Sequence, residues 1–352
     1  MGNTLFIHAV NIHQGGGERL LKALLGAIDP NVRTVLNVDS RMPLPATMPT
    51  GLEVRRIKGS VMARLWAELW LYRHAAQDDC ILCFGNLPPL LPVKAFVSVF
   101  VQNRYLIDNV GLKNLKPWPR LRIKLERMWL RFGIKNASQF LVQTPSMQRL
   151  MQALVKDTQP VLIAPFTESV AESVSESAQS SAPAAPERLP NFLYVASGED
   201  HKNHRRLIQA WQLLAAEGIR PSLVLTVDAT NFPDLCAWID RQIALHTLKV
   251  SNLGTVDAAA VAGLYEQADA LIYPSQLESF GLPLIEASVA GLDLIAAELD
   301  YVRDVAVPAH SFDPTSAVSI TRAIKRYCGY PAPALQLLTP ARFLRLSLRR
   351  AA

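Results

Sequence analysis

Cysteine is scarce in this chain and scattered where it occurs. The four residues, Cys80, Cys83, Cys236 and Cys328, are too few and too dispersed over 352 residues for a disulfide framework. That excludes the small stapled scaffolds of secreted domains and points to a reducing, cytoplasmic setting. Cys80 and Cys83 form a Cys-x-x-Cys inside an apolar run, with no second pair and no histidine nearby. Structural thiols are expected there, not a zinc or redox site. Asp78-Asp79 precedes a strand and reads as a turn, so no metal site is expected.

Long hydrophobic runs are missing as well. The most apolar window, residues 81–101, is interrupted by Pro88, Pro89, Pro92 and Lys94, so no membrane span is expected. The opening MGNTLFIHAVNIH has no basic n-region and reads as a first strand, not a leader. Any contact with a membrane would be peripheral. There is no repeat of solenoid period. No nucleic-acid-binding module accompanies the basic residues, so nucleic acid is not an expected partner.

What is present is material for two cores. The length is about twice that of a usual domain, and half the residues are hydrophobic. Residues 1–166 hold 21 Lys and Arg against 10 Asp and Glu, and the remainder 15 against 20. A basic first half joined to a mildly acidic second half suggests different partners for the two.

Residues 1–166 alternate strand-like runs (5–10, 33–38, 80–84, 96–101, 139–142, 161–164) with helical periodicity (18–28, 61–76, 121–132, 146–155). Residues 167–190 are rich in Ser, Ala, Glu and Pro and hold one leucine, which reads as a linker or mobile loop. The alternation resumes over residues 191–330, with strands at 192–195, 222–227, 250–253, 270–273 and 293–296. Helices are expected at 205–216, 234–245, 258–268, 283–290 and 316–327. Two doubly wound α/β domains follow, with a ligand expected between their strand ends. Residues 331–352 form a basic tail that either adds to a basic surface or crosses back onto the first domain.

The segment ESFGLPLIEA, residues 278–287, carries the most chemistry. A buried strand ends at Pro274, a polar loop follows, and Pro283 opens a helix. Ser279, Phe280, Gly281 and Leu282 then lie at a helix N-terminus whose free N–H groups favour phosphate oxygens. Glu278 precedes the turn, and Glu286 is expected on the helix's first turn. Each is an acceptor suited to sugar or ribose hydroxyls, or else Glu286 only complements the dipole and Glu278 is solvated. Upstream, FLYVASGEDHKNHRRLIQAW runs from a strand through Ser197, His201 and Lys202 into an amphipathic helix. An ammonium at Lys202 would neutralise charge on a departing phosphate. In HQGGGERLLKALLGAI, the glycines Gly15, Gly16 and Gly17 sit between a strand and a helix and serve either a phosphate or only the turn.

These three segments together resemble the family-4 retaining glycosyltransferases (glycosyl transferases group 1), bacterial surface-polysaccharide enzymes of GT-B fold. Glu278 and Glu286 have the family's spacing of Glu, seven residues, Glu around Phe-Gly-Leu-Pro. The resemblance implies two Rossmann-like domains facing across a cleft. It implies a nucleoside-diphosphate sugar as co-substrate, with no cofactor and no required metal. It assigns Glu278 and the Phe280–Leu282 amides to the sugar and phosphate, Glu286 to the ribose, Lys202 to the pyrophosphate, and Gly15–Gly17 to the donor phosphates. Where many members carry an arginine after the strand, this chain has Ser197; His201 and Arg205 are the nearest cations to replace it. Gln102, Asn103 and Arg104 lie where the family often has a histidine near the acceptor. Front-face attack, proposed for such enzymes, needs no protein base. His-Lys-Asn-His resembles the version in bacterial mannosyl- and O-antigen transferases, which suggests mannose. A GT-B epimerase or phosphorylase, and a non-catalytic sugar-nucleotide binder, are the competing readings.

Residues 113–135 carry eight basic residues and one acid, Glu126. Leu121, Leu125, Met128, Trp129 and Phe132 share one helical face. The segment is either a dock for an anionic membrane surface or a core helix with a solvated basic side. Docking suits the lipid-linked acceptors on which related transferases often act.

Overall fold

The computed structural model describes residues 4–45, 47–108, 111–112, 115–156, 158–167, 188–330 and 335–348. The chain divides into two units. The first comprises Met1–Ser180 and Leu335–Ala352, the second Ser181–Ala334. Each is built on one parallel sheet with the strand order of a Rossmann-like domain.

In the first unit the strands are β1 (Leu5–Ala9), β2 (Thr34–Asp39), β3 (Leu52–Ile57), β4 (Cys80–Cys83), β5 (Phe96–Val101), β6 (Gln139–Val142) and β7 (Val161–Ile163). They lie in the order β3-β2-β1-β4-β5-β6-β7. Short apolar runs such as LFIHA and FVSVFV are buried on both faces, as a parallel sheet between helices requires. The helices are α1 (Gly15–Leu25), α2 (Val61–His74), α3 (Pro117–Gly133) and α4 (Pro145–Val155). Thr144 starts α4 by accepting from the Met147 amide, with Pro145 just inside the helix. Strand β3 escapes the hydrophobic pattern because it is an edge strand, LEVRRI, charged at Glu53, Arg55 and Arg56.

The second unit has β8 (Asn191–Tyr194), β9 (Ser222–Leu225), β10 (Val250–Asn252), β11 (Ala270–Tyr273), β12 (Asp293–Ala297) and β13 (His310–Phe312), in the order β10-β9-β8-β11-β12-β13. Its helices are α5 (His204–Ala216), α6 (Pro233–His246), α7 (Ala258–Gln267), α8 (Leu282–Val289), α9 (Asp300–Val305) and α10 (Ala317–Tyr327). The order in which successive strands are added to the sheet reverses between β8 and β11. A parallel sheet opens a crevice at the carboxyl ends of its strands at such a point.

Residues 340–348 are not a free tail. They form α11 (Pro340–Leu348), which belongs to the first unit. Phe343 is fully buried, its ring 4.8 Å from Phe100 and 4.3 Å from Phe166. Gln139 donates from its side chain to the Leu346 carbonyl. Among the described residues no disulfide joins any of the four cysteines, and burial raises the Cys83 thiol. The predicted linker falls almost wholly outside the described residues, as does Lys113.

Candidate functional site

A cavity of about 890 Å³ opens in the second unit at the ends of β8, β9 and β11. The segments after β8 supply Ser197, Glu199 and Lys202; Tyr273 ends β11, and Glu278 to Pro283 lead into α8. The far wall is Thr226, Asp228, Phe232, Thr255 and Val256.

The Lys202 ammonium donates to both oxygens of Glu278, at 2.8 and 3.0 Å. The Tyr273 hydroxyl donates to the same carboxylate at 2.9 Å. Burial alone would raise the Glu278 pKa, but hydrogen bonds from Lys202 and Tyr273 outweigh it and hold the value below the usual 4.5. Burial, then the Glu278 charge, raises the Tyr273 phenol and keeps it a donor. Tyr194, fully buried, packs edge-on to Tyr273 at 5.6 Å and donates to the Lys202 carbonyl at 2.7 Å. Two tyrosines thus fix the two ends of the ion pair.

The turn that carries Lys202 is tied to the loop that carries Glu278. Asn203 sits in the left-handed region, φ 66°, and its amide donates to the Pro274 and Pro314 carbonyls. The Gln276 amide donates to the His201 carbonyl at 2.8 Å, and the Tyr301 hydroxyl to the Ser275 carbonyl. Gly281, at φ +72°, caps α8, and a Cβ there would meet Leu284 at 3.1 Å. Glycine takes this conformation without a Cβ penalty, and Phe280, Gly281 and Leu282 line the cavity at the start of α8.

Several expected residues stand elsewhere. Glu286 is on the second turn of α8, because the helix begins at Leu282, and it does not line the cavity. Its Oε2 accepts from the Tyr265 hydroxyl at 2.9 Å. His201 contributes its carbonyl to the turn and does not line the cavity. Arg205 lies over the Trp238 ring at 4.8 Å, and Ser197 donates to Glu199. His204 is buried against Tyr194, neither ring nitrogen has a partner among the described residues, and burial takes its pKa to about 4. Neither His201 nor Arg205 therefore takes the place of the arginine that Ser197 lacks. Lys202 is the one cation among the described residues lining the cavity. The tyrosines were missed. Tyr273 stands directly before Pro274, where the sequence marks a strand end and gives no sign that its hydroxyl has a partner.

The glycine turn and the residues after β5 belong to the first unit. Gly15, Gly16 and Gly17 form the first turn of α1 rather than a loop before it. Gly15 has φ +72°, a Cβ on Gly16 would meet nothing, and one on Gly17 would lie 3.1 Å from Ile12. Gln102 and Asn103 both donate backbone N–H to the Asn86 side chain, at 2.6 and 2.9 Å. Asn103 caps a short turn and Arg104 pairs with Asp108. Gly17 and Gln102 meet at the strand ends, since a Gly17 Cβ would be 3.8 Å from Gln102 Oε1.

Tyr273→Phe tests the support of Glu278. Without that donor the carboxyl should titrate higher, moving the acid limb of turnover up by roughly one pH unit. Because the folded pKa of Glu278 is depressed, its contribution to stability is present above pH 4.5 and lost as pH falls through the lowered value. Thermal melting of wild type and Tyr273→Phe between pH 7 and 3 should show that loss beginning at higher pH in the variant. Identical acid limbs would remove this role.

Comparisons with known proteins bear on the second unit. The serotype-specific mannosyltransferase WbdA of Escherichia coli is 30% identical over 146 residues, covering 41% of this chain and 18% of that protein. The O-antigen chain mannosyltransferase B of Escherichia coli is 32% identical over 114 residues, covering 32% of this chain and 30% of that protein. The chain thus spans less than a third of these relatives' lengths. Among solved structures, sucrose-phosphate synthase from Thermosynechococcus elongatus aligns over 99% of this chain and 94% of its own, at 17% identity and a TM-score of 0.35. Residues 175–329, which contain the whole described cavity, match the family model described as glycosyl transferases group 1.

Proposed function

We propose that this chain is a retaining glycosyltransferase that moves a sugar from a nucleoside-diphosphate sugar to a glycan or lipid-linked acceptor in lipopolysaccharide or other surface-polysaccharide assembly. The observation that carries this reading is the Lys202–Glu278 pair in a cavity at the strand switch point. When a diphosphate enters, Lys202 exchanges a carboxylate oxygen for a phosphate oxygen. The amides at the start of α8 take another, so charge on the leaving group meets a preset cation and dipole. Glu278, still held by Tyr273, accepts from the sugar hydroxyls. Glu286, held by Tyr265 and outside the lining of the described cavity, is given no donor contact. The departing phosphate takes the proton of the acceptor hydroxyl, so no protein base is assigned, and the reading calls for no cofactor. The mannosyltransferase relatives support GDP-mannose as the first donor to try. Purified chain should release GDP from GDP-mannose, by transfer or slow hydrolysis. Tight donor binding with no turnover across a donor panel would leave a binding protein; no binding at all would overturn the site.

The same reading puts the chain on the membrane that holds a lipid-linked acceptor. Helix α3 buries Ile123, Leu130 and Gly133 and leaves Leu121, Leu125, Met128 and Phe132 exposed, the last at 75%. The apolar face that a core helix would bury is outside the core. Arg120 and Arg127 are turned back onto the Leu112, Leu115, Tyr105 and Asp108 carbonyls, so the apolar stripe is the cleaner target for mutation. Leu125→Asp with Phe132→Asp should lower binding to lipid vesicles at least about tenfold. Unchanged cosedimentation would remove the attachment.

A further inference from the structure

We propose that Asp228 selects guanine as the base of the sugar donor; the proposal rests on the donor reading of the cavity and names which nucleoside diphosphate it takes. Lys202 follows β8 and Glu278 follows β11, whereas Asp228 follows β9, and Thr255 and Val256 follow β10. The sheet order β10-β9-β8-β11 sets these groups out along one edge, at about 5 Å per strand. A nucleoside diphosphate whose phosphates lie at Lys202 and the start of α8 therefore reaches β9 and β10 with its base. Apolar side chains stand there to cover the faces of a ring. Val256 and Val261 line the cavity, and so does Phe232, whose ring packs so closely that a Cβ on Gly198 would be 2.4 Å from it.

A carboxylate at this end of a cavity for a polyanion needs a reason. The donors to Asp228 are neutral groups of its own loop: the Thr230 backbone N–H to one oxygen at 2.7 Å, and the Asn231 side-chain amide to the other. These bonds, the Thr230 amide first, hold its carboxyl below the usual range, so it meets the ligand ionised. An ionised carboxylate only accepts, and each oxygen keeps a lone pair beyond the bond its loop supplies. Beside a diphosphate such a charge weakens binding by repulsion unless the ligand brings donors to it. Guanine brings two on one edge, N1–H and the 2-amino group, spaced for the two oxygens of a carboxylate. Uracil offers a single N–H between two carbonyl oxygens, which a carboxylate repels. Adenine and cytosine set their amino group beside a ring nitrogen that only accepts. Guanine alone among these bases complements Asp228.

Calorimetric titration of the purified chain with GDP, UDP and inosine diphosphate (IDP) tests the assignment. Wild type should bind GDP roughly 10- to 100-fold more tightly than UDP, the discrimination of one bidentate pair. IDP lacks the 2-amino group and should bind about tenfold more weakly than GDP. Asp228→Asn keeps an oxygen for the Thr230 amide but offers the ligand one acceptor and one donor, the pattern that uracil complements. It should bind GDP more weakly and UDP more tightly than wild type, so that the preference disappears while the melting temperature holds. Asp228→Ala should bind GDP and IDP alike. Equal affinities for GDP and UDP in wild type, or an unchanged preference in Asp228→Asn, would overturn the role of Asp228 while the donor reading stands. Failure of all three nucleotides to bind would overturn the donor reading as well.

Discussion

Lys202→Ala is expected to lower turnover of the sugar donor roughly 100- to 1,000-fold, the range for removing one preorganised charge stabiliser from an active site. The effect should lie at the upper end, because no second cation lines the described cavity to share the load. Glu278→Gln separates charge from shape. Its amide oxygen still accepts from Lys202 and Tyr273, so the pair survives geometrically while the carboxylate is gone. Glu278→Ala removes both and leaves the Lys202 ammonium, 16% exposed, without its partner. That should destabilise the second unit by roughly 1–3 kcal/mol. The measurement is release of nucleoside diphosphate alongside thermal melting. Full activity in both Lys202→Ala and Glu278→Gln would detach the reaction from this cavity.

Phe343→Ala should produce the largest loss of stability, roughly 3–5 kcal/mol in the first unit. Its ring is completely buried beside Phe100 and Phe166, so truncation leaves a cavity among three aromatic side chains. The second unit holds none of these contacts and should melt as before. Denaturant unfolding followed by hydrogen exchange on peptides from each unit would separate the two. A loss spread equally over both units would mean that α11 does not belong to the first alone.

The sequence made the site's outline legible for a physical reason. Pro283 and Gly281 punctuate a strand-to-helix turn, and Glu278 and Lys202 stand at fixed offsets from two strand ends, so local rules bring them to one edge of a sheet. What stayed hidden depended on partners distant in sequence. Glu286 reads as a cleft residue until Tyr265, 21 positions earlier, is seen to hold one of its oxygens. The periodicity of α3 is plain, but its sequence cannot say which face has something to pack against. Here the core takes Ile123 and Leu130 and leaves the wider apolar stripe outside. Strand β3 was missed because Glu53, Arg55 and Arg56 interrupt its apolar pattern.

The return of α11 also sets an order of assembly. The second unit is one continuous stretch, so all of it exists before residues 335–348 are made. The first unit begins the chain, yet Phe100 and Phe166 lack their covering ring until those residues emerge. Domains usually complete in the order of synthesis. Here the order is inverted: the unit started first closes last, and until then its half-finished core is exposed to chaperones and proteases.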